Sequence, residues 1–257
     1  MPPKRTPEPP TVNVGITGHR AGSLPAEIID SLEAVVDEVF RELRGAALRV
    51  QKAEPALPDR EPAKLALHTA MASGADQLAA KAAHTAGYHL RALLPFDQDE
   101  YRNDFIGDEI DEYDRALDAA HEIFALPGDR ADAIGAYVLV GTVLVDAADI
   151  LVAVWDGNEG NGPGGTADVV DRALKSAVPI IHIAIDREGA NVSTRLLVGG
   201  DAIAPITESL AESDAYDGLL RGTLLPKAAT PKAKAKARVK PKRKGKPKTP
   251  SASLTTA

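Results

Sequence analysis

The chain has 257 residues, 44% hydrophobic but only 4% aromatic, enough for one sizeable core built from Ala, Val, Ile and Leu rather than from rings. It contains no cysteine, which excludes disulfides, thiol chemistry and zinc–thiolate sites. The net charge of −7 conceals two opposed parts: eleven basic residues lie between Lys227 and Lys248, with no acidic residue beyond Asp217, and the remainder holds 19 basic against 37 acidic residues, a net of −18.

Met1–Pro10 is proline-rich with mixed charge and is expected to be disordered. Thr11–Thr17 alternates and then runs apolar, a first strand that stops at Gly18-His19-Arg20. From Pro25 to Leu43, Ile28, Ile29, Leu32, Val35, Val36, Val39, Phe40 and Leu43 fall on one helical stripe. Gln51–Lys64 carries three prolines and reads as a surface excursion. Leu65–Ala72 is a second strand, and Ser73-Gly74-Ala75-Asp76 turns into the alanine-rich helix Gln77–Ala86, which Gly87 closes as a left-handed cap would. His89–Leu94 is a third strand, ended by Pro95-Phe96.

Asp97–Asp118 is densely acidic and reads as a loop and a helix. It is either a solvated face or a lid in which Tyr101 and Arg102 close over a pocket. Glu122–Leu126 is a short strand, followed by the turn Pro127-Gly128-Asp129. Ala133–Ala148 is apolar almost all round, which predicts a helix buried against a sheet. Ile150–Val154 is a strand covered on both faces. After it, Asp156 and Gly157 open a loop with five glycines, and Gly164-Gly165-Thr166 leads into the helix Ala167–Ala177. Val178–Ile185 is a further strand of parallel type.

Strand and helix patterns alternate about six times, which predicts an α/β, Rossmann-like, open and mostly parallel sheet with helices on both faces. The expected organisation is a Rossmann-like domain over 11–190, an extension over 191–225 that adds a strand and a small helix, and a disordered Lys-rich tail over 226–257. No apolar run approaches the ~20 residues of a membrane span and no signal-peptide pattern is present, so a cytoplasmic protein with no membrane partner is expected. The histidines lack metal-ligand spacing, and no metal or cofactor is expected.

In such a sheet, ligands sit at the C-terminal ends of the strands where the strand order reverses. Three small-residue turns occupy such ends: Gly15–Arg20, Ser73–Asp76 and Asp156–Asp168. Each feeds a helix and can offer backbone N–H groups to an anion. Thr17, Gly18, His19, Arg20, Ser73, Gly74, Asp76, Pro95, Phe96, Gly164, Gly165 and Thr166 are therefore the candidate ligand and phosphate contacts. Arg20 presents a fork that matches phosphate, and His19 is a candidate acid or base because the unperturbed pKa of histidine lies near neutrality. Asp156 forms either an Asx turn or a ribose-hydroxyl acceptor; Thr166 is either an N-cap or a phosphate contact; Trp155 packs in the core or stacks on a base. The Lys-Ala-Pro tail suits salt-dependent contact with nucleic acid through Lys227–Lys248, or else charge balance against the acidic body.

The run Ala72-Ser73-Gly74-Ala75-Asp76 with Ala79, Ala80 and Ala83, the Leu94-Pro95-Phe96 strand end and Gly164-Gly165-Thr166 together resemble the SLOG superfamily, which joins the DNA-processing protein A proteins to the "lonely guy" phosphoribohydrolases. The resemblance covers roughly Val12–Ile185, with Thr17-Gly18-His19-Arg20 at the first loop. It implies a Rossmann-like fold that binds a phosphorylated nucleoside or NAD-derived nucleotide, as sensor or carrier, and it suggests homodimers. Lonely-guy enzymes resemble P-G-G-x-G-T-x-x-E, whereas here Val169 stands where the glutamate would be and Asp168 precedes it, a rotation of about 100° on a helix. Two alternatives accompany that reading. One is hydrolysis of the N-glycosidic bond of a nucleoside monophosphate, with Asp168, Asp156 or His19 as catalytic groups; the other is single-stranded DNA binding.

Overall fold

A computed structural model of the protein describes residues 9–57, 61–160, 162–186, 191–198, 206–209 and 213–225. The Lys-rich segment 226–257 and residues 1–8, both expected to be disordered, lie outside the described residues.

The centre is an eight-stranded sheet in the order β4-β3-β2-β1-β5-β6-β7-β8. Its first six strands are β1 (Thr11–Gly18), β2 (Lys64–Thr69), β3 (His89–Leu94), β4 (Glu122–Ala125), β5 (Ile150–Trp155) and β6 (Ile180–Asp186), all parallel to one another. β7 (Asn191–Val198) and β8 (Ile206–Ser209) continue it antiparallel, so the 191–225 segment supplies two strands and α7 (Ser213–Leu224). The chain steps outward from β1 to β4 and then crosses back to lay β5 on the other side of β1. That reversal makes the β1/β5 junction the topological switch point, where a ligand crevice opens beyond the strand ends.

Strand alternation sends side chains to two cores. Val12, Val14, Ile16, Leu65, Leu67, Ile150, Val152 and Val154 point to one face, where they are covered by α1 (Ile29–Ala53), α2 (Ala75–Thr85) and α7. Leu93, Leu151, Ala153 and Ile180 point to the other, under α5 (Ala133–Ala147) and α6 (Thr166–Lys175). Gly15 is what lets α5 close: a Cβ there would lie 2.9 Å from Leu144 Cδ2. A smaller core around Tyr101, Phe105 and Tyr113 anchors the short α3 (Gln98–Tyr101) and α4 (Asp108–Asp118).

Three elements differ from the expectation. α1 runs to Ala53 rather than Leu43, because Ala46, Ala47 and Val50 prolong its buried stripe past Gly45, whose mid-helix cost of about 1 kcal/mol their burial offsets. β2 ends at Thr69 rather than Ala72; the chain leaves the sheet early and Met71 adopts φ +58°. α5 is apolar all round, yet it buries only Ala136, Val140, Gly141, Leu144 and Val145, while Ile134 is 61% exposed. No described helix is long and apolar enough to cross a membrane.

Candidate functional site

A cavity of about 620 Å³ opens at the switch point. Thr17, Gly18, His19 and Arg20 from the end of β1, Asp76 from α2, Pro95 from the end of β3, and Asp156, Gly164, Gly165 and Thr166 beyond β5 all line it. The three turns read from the sequence thus meet around one space, within the 300–1,000 Å³ range of small-molecule sites.

Two glycines make the convergence sterically possible. A Cβ on Gly18 would stand 2.4 Å from Ala75 Cβ and 2.9 Å from Val154 O, so the β1 end, the α2 start and β5 close together only around glycine. Gly74, at φ +88°, meets the backbone of the first turn: a Cβ would lie 2.5 Å from Ala21 N and 2.7 Å from His19 O. Ala75 N donates to His19 O at 3.1 Å, stitching the first turn to the second.

The second turn presents a carboxyl group rather than free amides. Asp76, 4% exposed, accepts from Thr69 Oγ1 at 3.2 Å and from Ala72 N at 3.4 Å, while Met71 N donates to Thr69 Oγ1. Burial pushes the Asp76 carboxyl up to about 6, against the opposing pull of those hydrogen bonds and of Arg20. Met71 N, Ala72 N and Ala75 N are already engaged, and what this turn brings to the cavity is an acid whose pKa is raised to about 6.

Arg20 is exposed at the mouth, with its guanidinium carbon 5.7 Å from the Tyr137 ring centroid. Desolvation works against its charge, but Tyr101, Tyr137 and Asp104 more than offset that and hold its pKa above the ordinary arginine value. His19 Nε2 lies 3.2 Å from both the Asp156 amide nitrogen and Asp156 Oδ1. A neutral ring accepts the amide hydrogen there, whereas a protonated ring donates to the carboxylate. Asp156 Oδ1 also accepts from Asn158 N at 3.1 Å, so the Asx-turn reading is realised while the residue still faces the cavity.

The third turn is the anion-ready one. Gly165, not Thr166, occupies the N-cap of α6, and no side chain caps the helix. Its first helical bond runs from Val169 N to Gly165 O, which leaves the Thr166 and Ala167 N–H groups without intrahelical acceptors at the positive end of the helix dipole. Gly164 takes φ +80° against Tyr137, whose Cβ an added methyl would approach to 3.0 Å.

Not every sequence candidate reaches the cavity. Asp168 turns back to accept from Gly164 N at 3.1 Å, with Arg172 at 3.9 Å, so it braces the glycine turn. Ser73 is buried and Gly74 contacts the first turn, but neither lines the cavity. Phe96 is 1% exposed and forms the platform on which Arg130 stacks at 4.0 Å. In the acidic segment, Tyr101 lines the cavity from the core, but Arg102 holds Asp114 through a bidentate pair at 2.7 and 2.9 Å and does not close over it. Trp155 lines the cavity with its Nε1 turned to Asn158 O. Among the described residues, no cluster of three or more His, Asp or Glu is placed to hold a metal ion.

Sequence reasoning missed Tyr137 as a cavity residue. Its hydroxyl donates to Asp104, which also pairs with Arg130 at 2.6 Å, so the wall behind Arg20 is a charged, hydrogen-bonded network. The one available signal was a lone tyrosine in the otherwise aliphatic α5.

Comparison with protein-family models finds no match, and comparison with curated protein sequences finds none. Similar solved structures include DNA processing protein A from Helicobacter pylori, 13% identical over 82% of this chain and 81% of that one, with a TM-score of 0.47. The same protein from Streptococcus pneumoniae is 11% identical over 70% of this chain, which spans only 53% of it, with a TM-score of 0.45. The molybdenum cofactor carrier protein from Chlamydomonas reinhardtii is 18% identical over 70% of this chain and 80% of that one, with a TM-score of 0.40. The fold and the chemistry of the site are therefore argued from this chain's own residues.

Proposed function

We propose that the protein binds a phosphorylated nucleoside or an NAD-derived nucleotide in the switch-point cavity, as a sensor or carrier. The observation that carries this reading is the gathering of Thr17–Arg20, Asp76 and Gly164–Thr166 around one space of about 620 Å³. The phosphate sits against the uncapped start of α6, with Arg20 supplying the opposing charge, and Asp156 and Asp76 accept hydroxyl hydrogens from the sugar. A thermal-shift series with AMP, ADP-ribose and NAD tests it: at least one raises the wild-type melting temperature, and Arg20→Ala reduces the gain. Absence of any gain in wild type, together with an indifferent Arg20→Ala, removes the reading.

Asp76 favours hydrolysis of an N-glycosidic bond as the second reading. A buried carboxyl group lining the cavity with a pKa of about 6 donates its proton to the departing base as the carbon–nitrogen bond breaks, water adds to the sugar carbon, and the proton that water loses restores the Asp76 carboxyl. Chromatographic detection of base released from nucleoside monophosphates decides it; the activity must disappear in Asp76→Asn. Attachment to nucleic acid through Lys227–Lys248 is the accompanying proposal for the tail, supported by its charge.

A further inference from the structure

Among the described residues, Arg20 is the one arginine that lines the switch-point cavity, and it stands among acids. Asp76, Asp156 and Glu159 line the same space, and Asp104 lies behind the Tyr137 ring. An arginine so placed can hold an anionic guest only if the protein's own carboxylates do not take it first. Asp104 is near enough to contribute to holding the Arg20 pKa above its ordinary value.

Both oxygens of Asp104 are already taken. Oδ1 accepts from Arg130 Nη1 at 2.6 Å, and Oδ2 accepts from the Tyr137 hydroxyl. With only 11% of its side chain exposed, this carboxylate depends on those partners more than on water. Arg130 is itself fixed from three directions: Nη2 donates to Glu100 O at 2.7 Å, Nε to Glu100 Oε1 at 3.3 Å, and its guanidinium carbon stacks 4.0 Å from the Phe96 centroid. It lines no part of the cavity. Without it, a nearly buried carboxylate would draw on Arg20, which lies against the ring whose hydroxyl that carboxylate binds. We propose that Arg130 is a positioning residue for the switch-point site: by occupying Asp104, it leaves Arg20 available to an anionic guest. The identity of that guest rests on the nucleotide reading, whereas the arrangement of charge is testable without one.

The test follows the modification of Arg20 by phenylglyoxal, an arginine-selective dicarbonyl, by peptide mass spectrometry of the full chain. Arg130→Met keeps the length and removes the charge, and it is expected to slow Arg20 about fivefold or more as Asp104 engages the guanidinium. Arg130→Met/Asp104→Asn returns the rate to within about twofold of wild type, and Arg130→Lys recovers part of it. Titration calorimetry with AMP, ADP-ribose and NAD reads the consequence: whichever of them wild type binds is held about tenfold more weakly by Arg130→Met and regains affinity in the double variant. The proposal is overturned if Arg20 reacts as fast in Arg130→Met as in wild type, or if a nucleotide bound by wild type is held equally well by that variant. It is also overturned if the double variant stays as slow as the single one, which would make Arg130 a brace for its own turn. The expected rates with no nucleotide bound by wild type would remove the nucleotide reading and support the role of Arg130.

Discussion

Asp76 is where the site departs furthest from what a stable fold would choose. Its carboxyl, pushed to about 6 by burial, holds its proton to higher pH folded than unfolded. Its stabilising contribution is therefore complete below pH ~4, declines as pH rises towards 6 and is lost above it. Asp76→Asn is expected to gain up to ~3 kcal/mol over wild type at pH 8 and little at pH 4, measured by urea unfolding. His68 runs the other way in the same window. Burial and then Arg91 lower it to about 4, so its neutral form favours folding more as pH rises, and the two slopes partly cancel in wild type. Asp168 is predicted to behave unlike Asp76: as a brace on Gly164 N, its change to Ala costs ~1 kcal/mol of stability, seen in the same unfolding curves at both pH values. In sequence the two aspartates look alike, each in the first turn of a helix after glycine. Rotation of the side chain and the desolvation around it separate them, and neither is written in residue order.

At the scale of elements, the period-2 and period-3.6 patterns located β1, α2, β3, β5 and α6 to within a few residues, because each buries a full face. The errors came where a local breaker met a long-range contact. The stripe read from the sequence stops at Leu43, just short of Gly45, but the helix runs on to Ala53 and carries Gln51, whose side chain accepts from Ala63 N at 2.7 Å and donates to Glu61 O at 2.8 Å. That polar residue, 6% exposed, ties the excursion before β2 to the helix. Gln51→Ala leaves the buried Ala63 N–H unmatched and is expected to cost ~1–3 kcal/mol in chemical denaturation, well above a surface change. β7 and α7 were blurred in the sequence for a related reason: antiparallel β7 buries only Leu196 and Leu197, a weak pattern that its pairing with β6 stabilises.

The whole molecule was legible as a class and less so as an arrangement. Alternation of strands and helices implied a parallel sheet, and the glycine turns implied a rim, but the position of β5 beside β1 follows from packing that no local pattern states. The rim itself was foreseen because glycines at Gly18, Gly74 and Gly164 have few other uses. Charge is the other whole-chain property. Removing 226–257 deletes the eleven basic residues between Lys227 and Lys248, and is expected to abolish salt-dependent binding to a DNA duplex in a filter or anisotropy assay while nucleotide-induced thermal shifts persist.

Gly74 lines no part of the switch-point cavity, yet the peptides it touches, His19 to Ala21, belong to the turn whose His19 and Arg20 side chains do. That turn rests on a residue with no side chain, and the methyl group added by Gly74→Ala would have to push it out of place. With no atom facing a phosphate, the substitution is expected to weaken nucleotide occupancy, and isothermal titration of a nucleotide into that variant measures the loss.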